Sequence, residues 1–562
     1  MRMTGAEIVI ESLKYHGVDL VFGYPGGTIM PVYDALYRAQ FRHILARHEQ
    51  GACHAADGYA RATGRTGVVL ATSGPGATNL VTGLATAFMD SVPLVAVTGQ
   101  VATSSIGTDA FQEADIYGIT IPITKYNYLV KDVNRLAETF AEAFYLARTG
   151  RPGPVLIDIP KDVQMAVADY APVPQADIPL LKYTPEPAYQ FEAELDRVVA
   201  MLREAERPML LAGHGAIIAG ASEAIRALAR KASLPVANTL LSSGVFPRRD
   251  PLSLGMVGMH GTRYGNEAIA AADLLISAGA RFDDRVTGKV AEFARGARIV
   301  HIDIDPAEVG KVLPIHLPVI GDLKAVLERL LEKLEAETFG PREAWLGQIE
   351  AWKRADPLAY PRSDTVLKPQ FVIETLSELT GGEAILTTGV GQHQMWAALF
   401  YEHRHPRHFI SSGGLGTMGF CLPSSIGAQL GCPDQLVVAV TGDGSFQMNI
   451  QELATAAQYR LPVKIIILNN GYLGMVRQWQ ELFFQGRYAS TEMGSGNPDF
   501  VMVAKGFGVE ALAVTRPGDL RPALERAFAH PGPVVVDCRV EKEENVYPMI
   551  PSGGTVKDTI HG

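Results

Sequence analysis

Residues 437–446 read VVAVTGDGSF, and residues 461–470 read LPVKIIILNN. An apolar run ends in a Gly-Asp-Gly turn, a helical stretch follows, and a second apolar run ends in Asn469-Asn470. The pattern predicts strand, turn, helix, strand. Continuous apolar strands separated by helices belong to a parallel sheet covered on both faces. Ligands of such sheets bind beyond the carboxyl ends of the strands. Gly442 and Gly444 permit positive φ and close approach to a ligand, and Ser445 follows them. Consecutive strand ends are often neighbours, so Asp443 is expected to meet Asn470. One carboxylate and one amide oxygen are hard ligands suited to Mg2+ shared with a diphosphate. Taken alone, GDG is a tight turn with a capping Asp; the Asn pair one strand later favours the metal.

The same alternation runs the length of the chain, in VVLAT (68–72), LVAVTG (94–99), PVLIDIP (154–160), PMLLAG (208–213), LLISAG (274–279) and IVHIDID (299–305). The fold class expected is therefore α/β. Residues 165–190 carry Pro172, Pro174, Pro179, Pro185 and Pro187 and read as an extended linker. Residues 335–369 carry Gly340, Pro341, Pro357, Pro361 and Pro369 around a short Trp-bearing helix. Cutting there leaves three doubly wound parallel-sheet units, 1–165, 190–335 and 368–545. The tail 546–562 is apolar and Pro-rich at its start, and reads either as a lid over a site or as a packed strap. An offset of 369 residues lays VVLAT on VVAVT, Leu84-Ala85-Thr86-Ala87 on Leu453-Ala454-Thr455-Ala456, and Pro93 on Pro462. The ungapped match favours duplication of one domain into the first and third units.

Composition narrows the function class. With 562 residues, 47% apolar and 20% charged, the chain is neither disordered nor a disulfide scaffold. A net charge of −10 argues against nucleic acid as a partner. Cys53, Cys421, Cys432 and Cys538 form no CxxC, so neither structural zinc nor a disulfide framework is expected. Such sparse cysteine suits a reducing compartment. No apolar run reaches the ~18 residues of a membrane span. The start reads as an amphipathic helix capped at Thr4 and closed by Gly17 rather than as a leader, which makes cytoplasm the expected location. His403, His405 and His408, interleaved with Arg404 and Arg407, read as a solvated loop rather than a metal site.

The GDG-to-NN spacing, with residues 445–468 between, resembles the motif of thiamine diphosphate (ThDP) enzymes. The resemblance implies that Asp443, Asn470 and the backbone carbonyl of Tyr472 hold Mg2+. RHEQGA (47–52) matches the family's activating-glutamate segment. ThDP chemistry needs a carboxylate on a ring nitrogen of the aminopyrimidine, and Glu49, at a strand end and helix start, takes that role. Without the family, Glu49 reads as a helix-dipole residue. The 369-residue offset sets Met418 opposite Glu49, in SSGGLGTMGF (411–420). A bulky apolar residue there props the cofactor into a bent form in the family. Gly413, Gly414, Gly416 and Gly419 argue for close backbone approach, and Cys421 stands where relatives often have Gly.

Nearly the whole chain is similar to the large catalytic subunits of biosynthetic acetohydroxyacid synthases. The matching segments include FGYPGG (22–27), SGPGATNLVTG (73–83), GTDAFQEAD (107–115), RPGPVLIDIPKD (151–162), LGMVGMHG (254–261), GARFDDRVTGK (279–289), GQHQMW (391–396) and GMVRQWQ (474–480). The family implies further ThDP contacts from Pro75, Asn79, Val390, Gly391, Gln392, His393, Gly416, Gly442, Gly444, Ser445, Gly474 and Met475. It implies catalytic roles for Gln112 and Lys161 beside Glu49. Phe111, Met259, Val476, Trp479 and Phe483 match positions along the substrate channel. Trp479, one turn after Met475, contacts the ethyl group of 2-oxobutyrate in that reading, and is a half-buried surface aromatic in the plain one. Arg151 and Lys161 steer an anionic oxoacid or serve as surface ion-pair partners. The resemblance also implies FAD, without a redox role, held by Arg151, Gly213, Gly215, His260, Gly279, Arg281, Asp303 and Asp322. For the acidic residues of that set, helix capping is the alternative.

The reaction implied is decarboxylation of pyruvate and condensation with a second 2-oxoacid through a hydroxyethyl-ThDP intermediate. Pyruvate as acceptor gives 2-acetolactate, and 2-oxobutyrate gives 2-aceto-2-hydroxybutyrate, both for branched-chain amino-acid synthesis. A homodimer or homotetramer with sites between subunits is implied, with a small regulatory subunit as a further partner. The rivals are an FAD-free acetolactate synthase, pyruvate oxidase, glyoxylate carboligase and, in another class, a non-catalytic nucleotide-binding protein. Glu49 counts against the carboligase, Trp479 against the oxidase and the FAD-free enzyme.

Overall fold

The computed structural model describes residues 1–182 and 189–562, which leaves Pro185 and Pro187 of the expected linker outside the described residues. Three six-stranded sheets follow one another along the chain, each parallel throughout. From edge to edge the first runs Arg42–Leu45, Leu20–Gly23, Gly67–Ala71, Leu94–Gln100, Pro154–Pro160, Tyr126–Leu129. The third runs Phe409–Ile410, Ile385–Thr388, Val437–Gly442, Lys464–Asn469, Val534–Arg539, Glu510–Val514. Counted along its own unit, each has the strand order 2-1-3-4-6-5. The identical order supports the duplication read from the 369-residue offset.

The middle sheet runs Ser253–Met256, Val236–Asn238, Pro208–Ala212, Leu274–Ala278, Arg298–Asp303, Leu317–Ile320. Its order, 3-2-1-4-5-6, is that of dinucleotide-binding sheets, whose ligands cross the sheet where the order reverses. Here the reversal lies between the strands ending at Ala212 and Ala278.

Two expectations need correction. The stretch 165–190 is not wholly an extended linker, because Val167–Asp169 pairs antiparallel with Arg2–Thr4 and closes the first unit. The histidine loop is not wholly solvated either. His403 is buried between the rings of Tyr401 and Phe409, and its Nε2 bonds the Ala397 carbonyl. Arg404 and His405, both paired with Glu383, are the part of the loop that stays solvated. The four cysteines are free, and among the described residues no group of three or more His, Cys, Asp or Glu is placed to hold a metal. No helix among them is long and apolar enough to cross a membrane.

The first and third units share one hydrophobic core. Its centre is the contact of helix Glu49–Thr63 with helix Cys421–Gly431. A side chain at Gly58 would overlap the Ser424 carbonyl, and one at Gly427 would overlap the Ala55 carbonyl. Under the offset Gly58 corresponds to Gly427 and Ala55 to Ser424, so this is one contact repeated about a local two-fold axis. Beside it lies a buried ion cluster. Arg61 pairs with Asp57 at 2.6 Å and Asp90 at 2.8 Å, and donates to the Ser411 carbonyl at 2.9 Å. Asp90 also accepts from the backbone N–H groups of Gly413 and Gly414, at 3.0 and 2.7 Å. The first unit thereby fixes the glycine-rich loop of the third.

Alanine at an exposed helical glycine stabilises by about 1 kcal/mol. At Gly427 the packing decides the opposite sign. Gly427→Ala is expected to lower stability by about 1–3 kcal/mol, read as a lower denaturant midpoint.

Candidate active site

Register brings the expected metal ligands together. The strands 437–442 and 464–469 are adjacent, with Gly442 opposite Leu468, so Asp443 leaves the sheet beside Asn469 and Asn470. Asp443 is 1% exposed, and its carboxylate accepts from the Asn497 amide at 2.6 Å. Burial pushes its pKa up to about 6. A carboxylate in that position lacks a compensating cation, which is the condition a bound divalent ion relieves. Asn470 Oδ1 accepts from the Tyr472 N–H at 3.1 Å, which folds the chain back over the site. The donor set is one carboxylate with amide and carbonyl oxygens. It is too sparse for an all-protein cage and fits an ion that takes further ligands from phosphates.

The remaining cofactor candidates of the third unit converge on the same place. A Cβ at Gly444 would lie 2.8 Å from Leu473 and 3.6 Å from the Met418 methyl. At Gly389 it would lie 2.6 Å from both His393 Nε2 and Ser445 Oγ, and at Gly442 2.8 Å from His393 Nδ1. Gly474 is filled by Gln392 and Asn470, which bond each other at 3.2 Å. Ser445 Oγ accepts from the Gly419 N–H at 3.0 Å, and Gly416 lies against Val390. Burial holds the His393 imidazole neutral, near pKa 3. Gly391, at φ +147, opens the helix that carries Gln392 and His393.

A second cluster lies in the first unit. Glu49 opens its helix and is 8% exposed. Asn79 Nδ2 donates to its Oε2 at 2.9 Å, and a Cβ at Gly76 would lie 3.2 Å from its Oε1. Gly74, with φ +58, leads into Pro75. The space a side chain would take there is closed by Gln112, whose Cα and carbonyl lie 3.0 and 2.8 Å from that Cβ position. Glu49, Pro75, Asn79 and Gln112 thus stand around the short segment 74–79. Among the described residues no hydrogen bond joins Glu49 to the Asp443 cluster. Phe111 is 87% exposed beside Gln112, and Lys161 is exposed at the start of helix Lys161–Met165. Neither touches the other cluster.

The helix Gly474–Phe483 presents the substrate candidates. Only Arg477 and Gln478 are buried in it. Arg477 donates to the Glu543 carbonyl at 3.1 Å, and Gln478 exchanges two bonds with Val546. That leaves Val476, Trp479 and Phe483 on the open side, with the Trp479 and Phe483 rings 5.4 Å apart, edge to face, while Met475 packs against the core of the third unit. The tail continues to the middle unit, where Ile550 N–H donates to the Met259 carbonyl at 2.8 Å and Lys289 N–H to the Gly554 carbonyl at 2.9 Å. It is a strap that ties the Trp479 helix to the Met259 segment.

In the middle unit the strand ends meet at the reversal point. A Cβ at Gly213 would overlap the Gly279 carbonyl, and one at Gly215 would lie 2.9 Å from Gly279 Cα. These glycines permit backbone-to-backbone approach between the two strands. Asp303 ends the next strand and is 9% exposed. Arg281 reaches the Gly414 segment, and burial lowers the His260 pKa to about 4. The strand order, the close glycine backbones at its reversal and the acidic strand end fit a dinucleotide. Two members of the expected set have other partners. Arg151 pairs with Glu308 at 2.7 Å and Asp305 at 3.4 Å, and Asp322 caps the helix Leu323–Lys333. Sequence reading missed Asn497, Asp90 and Glu452, the last accepting from the Arg47 N–H at 3.0 Å. None carries a local spacing signal.

Comparison with known proteins agrees with this layout. The N-terminal TPP binding domain, central domain and C-terminal TPP binding domain of thiamine pyrophosphate (that is, thiamine diphosphate) enzymes match residues 3–119, 195–330 and 389–538. The acetolactate synthase large subunit of Parasynechococcus marenigrum is 51% identical, over 98% of this chain and 90% of its own. That of Corynebacterium glutamicum is 49% identical, over 99% and 90%. The chloroplastic acetolactate synthase 2 of Nicotiana tabacum is 48% identical, over 99% and 85%.

Gly74→Ala is expected to cost about 1–3 kcal/mol, because a Cβ forces an unfavourable backbone and strikes Gln112. Thermal unfolding of the variant beside the parent checks it.

Proposed function

The chain belongs to the thiamine diphosphate enzymes and, within them, to the acetolactate synthase large subunits, and on that premise we propose that it condenses two 2-oxoacids with loss of CO2. Pyruvate is the donor. Pyruvate as acceptor gives 2-acetolactate, and 2-oxobutyrate gives 2-aceto-2-hydroxybutyrate. The observation that carries the reading is the pairing of a buried, undercompensated Asp443 beside Asn470 with a separate buried Glu49.

Bound thiamine diphosphate supplies a carbon nucleophile for the keto group and takes up the electron pair released with CO2. Asp443, Asn470 and the Tyr472 carbonyl would hold the Mg2+ that accompanies it. Gly442, Gly444, Ser445, His393, Gln392, Gly391, Val390, Gly416, Gly474 and Met475 line its cradle, and Met418 props it. Glu49 holds a proton at a ring nitrogen of the aminopyrimidine, and Asn79 keeps the carboxylate aimed, with Pro75 beside it. Gln112 would stand near the reacting atoms. Phe111, Met259, Val476, Trp479 and Phe483 wall the channel and exclude water, an environment in which a carboxylate loses CO2 more readily. Lys161 steers the anionic substrate.

Glu49 and the Asp443 cluster lie on different units, and among the described residues no hydrogen bond joins them, which supports a site completed by a second copy of the chain. A homodimer is the minimum, and a small regulatory subunit is a further partner. FAD would be held by Gly213, Gly215, His260, Gly279, Arg281, Asp303 and Asp322, with Arg151 at its edge. The overall reaction changes no oxidation state, so its role there is structural.

Purified protein with ThDP, Mg2+, FAD and pyruvate should form acetolactate, and added 2-oxobutyrate should divert product to acetohydroxybutyrate. Acetyl phosphate or peroxide instead would move the protein elsewhere among the ThDP enzymes. Glu49→Gln should cut turnover by about 100-fold or more while ThDP stays bound, the size typical of losing an acid–base group. Lost ThDP affinity with normal turnover at saturation would contradict the role. Trp479→Leu should lower the preference for 2-oxobutyrate over pyruvate by about 10-fold or more, the worth of a methylene contact. The product ratio at equal acceptor concentrations measures it.

A further inference from the structure

The loop 101–116 carries Phe111 and Gln112 out from the first sheet, and Gln112 adopts φ +59. A left-handed non-glycine residue persists only where its surroundings hold it. The holding groups can be traced. Asp158, in the middle of strand Pro154–Pro160, is 1% exposed. It pairs in register with Thr98 of the neighbouring strand. Thr98 Oγ1 donates to Asp158 Oδ1 at 2.7 Å, and Gln100 Nε2 donates to Asp158 Oδ2 at 2.9 Å. The same Gln100 amide nitrogen donates its other hydrogen to the Ala114 carbonyl at 3.0 Å, while its oxygen accepts from the Val101 N–H at 2.9 Å. Every polar atom of the Gln100 amide is therefore used, and its orientation is unique. It spans from a buried carboxylate to the backbone two residues beyond Gln112.

We propose that Gln100, oriented by Asp158, is a positioning residue that fixes Gln112 against Gly74 and thereby beside the segment 74–79. The inference rests on the proposed role of Gln112 near the reacting atoms. A carboxylate buried with no cation beside it is costly, and burial raises Asp158 to about 7, against the pull of the Thr98 and Gln100 bonds. An apolar pair would pack between these strands at less expense. What the carboxylate adds is direction: two acceptor oxygens that leave Gln100 one way to face. The loop has other ties, since Asp162 accepts from the Thr103 N–H at 3.0 Å and Glu113 from the Ala110 N–H at 3.0 Å. Asp162 is exposed and Glu113 half-buried, and they bind the loop to its own root or to itself. Ile116 packs its side chain into the core, and among the described residues Gln100 makes the hydrogen bond that joins the loop's far end to the sheet interior.

The test uses the full-length protein with ThDP, Mg2+ and FAD. Gln100→Ala should speed hydrogen exchange of amides 107–115 by about 10-fold, as expected for one lost buried hydrogen bond, while exchange in strand 437–442 stays unchanged. Unchanged exchange in the loop overturns the proposal whatever the activity. Turnover of Gln100→Ala should fall about 10-fold with little change in KM, and the double variant Gln100→Ala, Gln112→Ala should be no slower than Gln112→Ala alone. Additive losses overturn it. A normal rate for Gln112→Ala sinks the reading of Gln112 itself, and with it the functional half of this inference, while loop exchange still reports on the clamp. Asp158→Asn, which keeps one acceptor oxygen, should recover part of what Asp158→Ala loses. Equal losses in the two variants count against the carboxylate's directional role.

Discussion

The close contact between helices Glu49–Thr63 and Cys421–Gly431 is the constraint on which the rest depends. Each helix offers a glycine, Gly58 or Gly427, where the partner's backbone carbonyl arrives. Interiors packed at crystal density tolerate no extra atom there. Since the two contacts are equivalent under the 369-residue offset, the duplicated units meet face to face about their own pseudo-axis. The same helices run on to Glu49 at one end and to the Met418 loop at the other unit's strand ends. Their packing therefore sets where both clusters of candidate residues stand.

The buried Arg61 cluster extends that constraint to the loop. A buried guanidinium with two carboxylates is stable only when each remaining hydrogen-bond site is filled. Here the Ser411 carbonyl and the Gly413 and Gly414 N–H groups fill them. The residues that complete the ion cluster are thus the backbone of the glycine-rich loop that holds Met418. Breaking either partner would leave a buried charge exposed to no solvent, which explains why a loop so rich in glycine keeps one conformation.

Much of the fold was legible. Strands such as 154–160 and 437–442 fall where their apolar runs predicted, because a strand buried on both faces must be continuously apolar. The duplication was legible as an ungapped offset. Of the candidate site, the sequence singled out Asp443, Asn470 and Glu49 because each stands at a strand end or helix start marked by glycine or by a turn. The plain readings held for part of the FAD set: Asp322 caps a helix and Arg151 is in an ion pair. His403 misled, because a string of His and Arg around a proline says nothing of the aromatic rings that bury one member of it.

By itself the sequence determined the α/β class, the three units, the repeat, and the residue types and spacing that point to a diphosphate with its metal. These follow from local periodicity and from chemistry carried by a few contiguous residues. Tertiary structure alone decided that Asn497 faces Asp443, that Asp90 binds the Gly413–Gly414 backbone, and that Gln100 bridges Asp158 to the Gln112 loop. It also decided that the tail is a strap between the Trp479 helix and the Met259 segment. Each of these joins residues tens to hundreds of positions apart through a few hydrogen bonds, and so few bonds at long range leave no period or spacing in the chain that makes them.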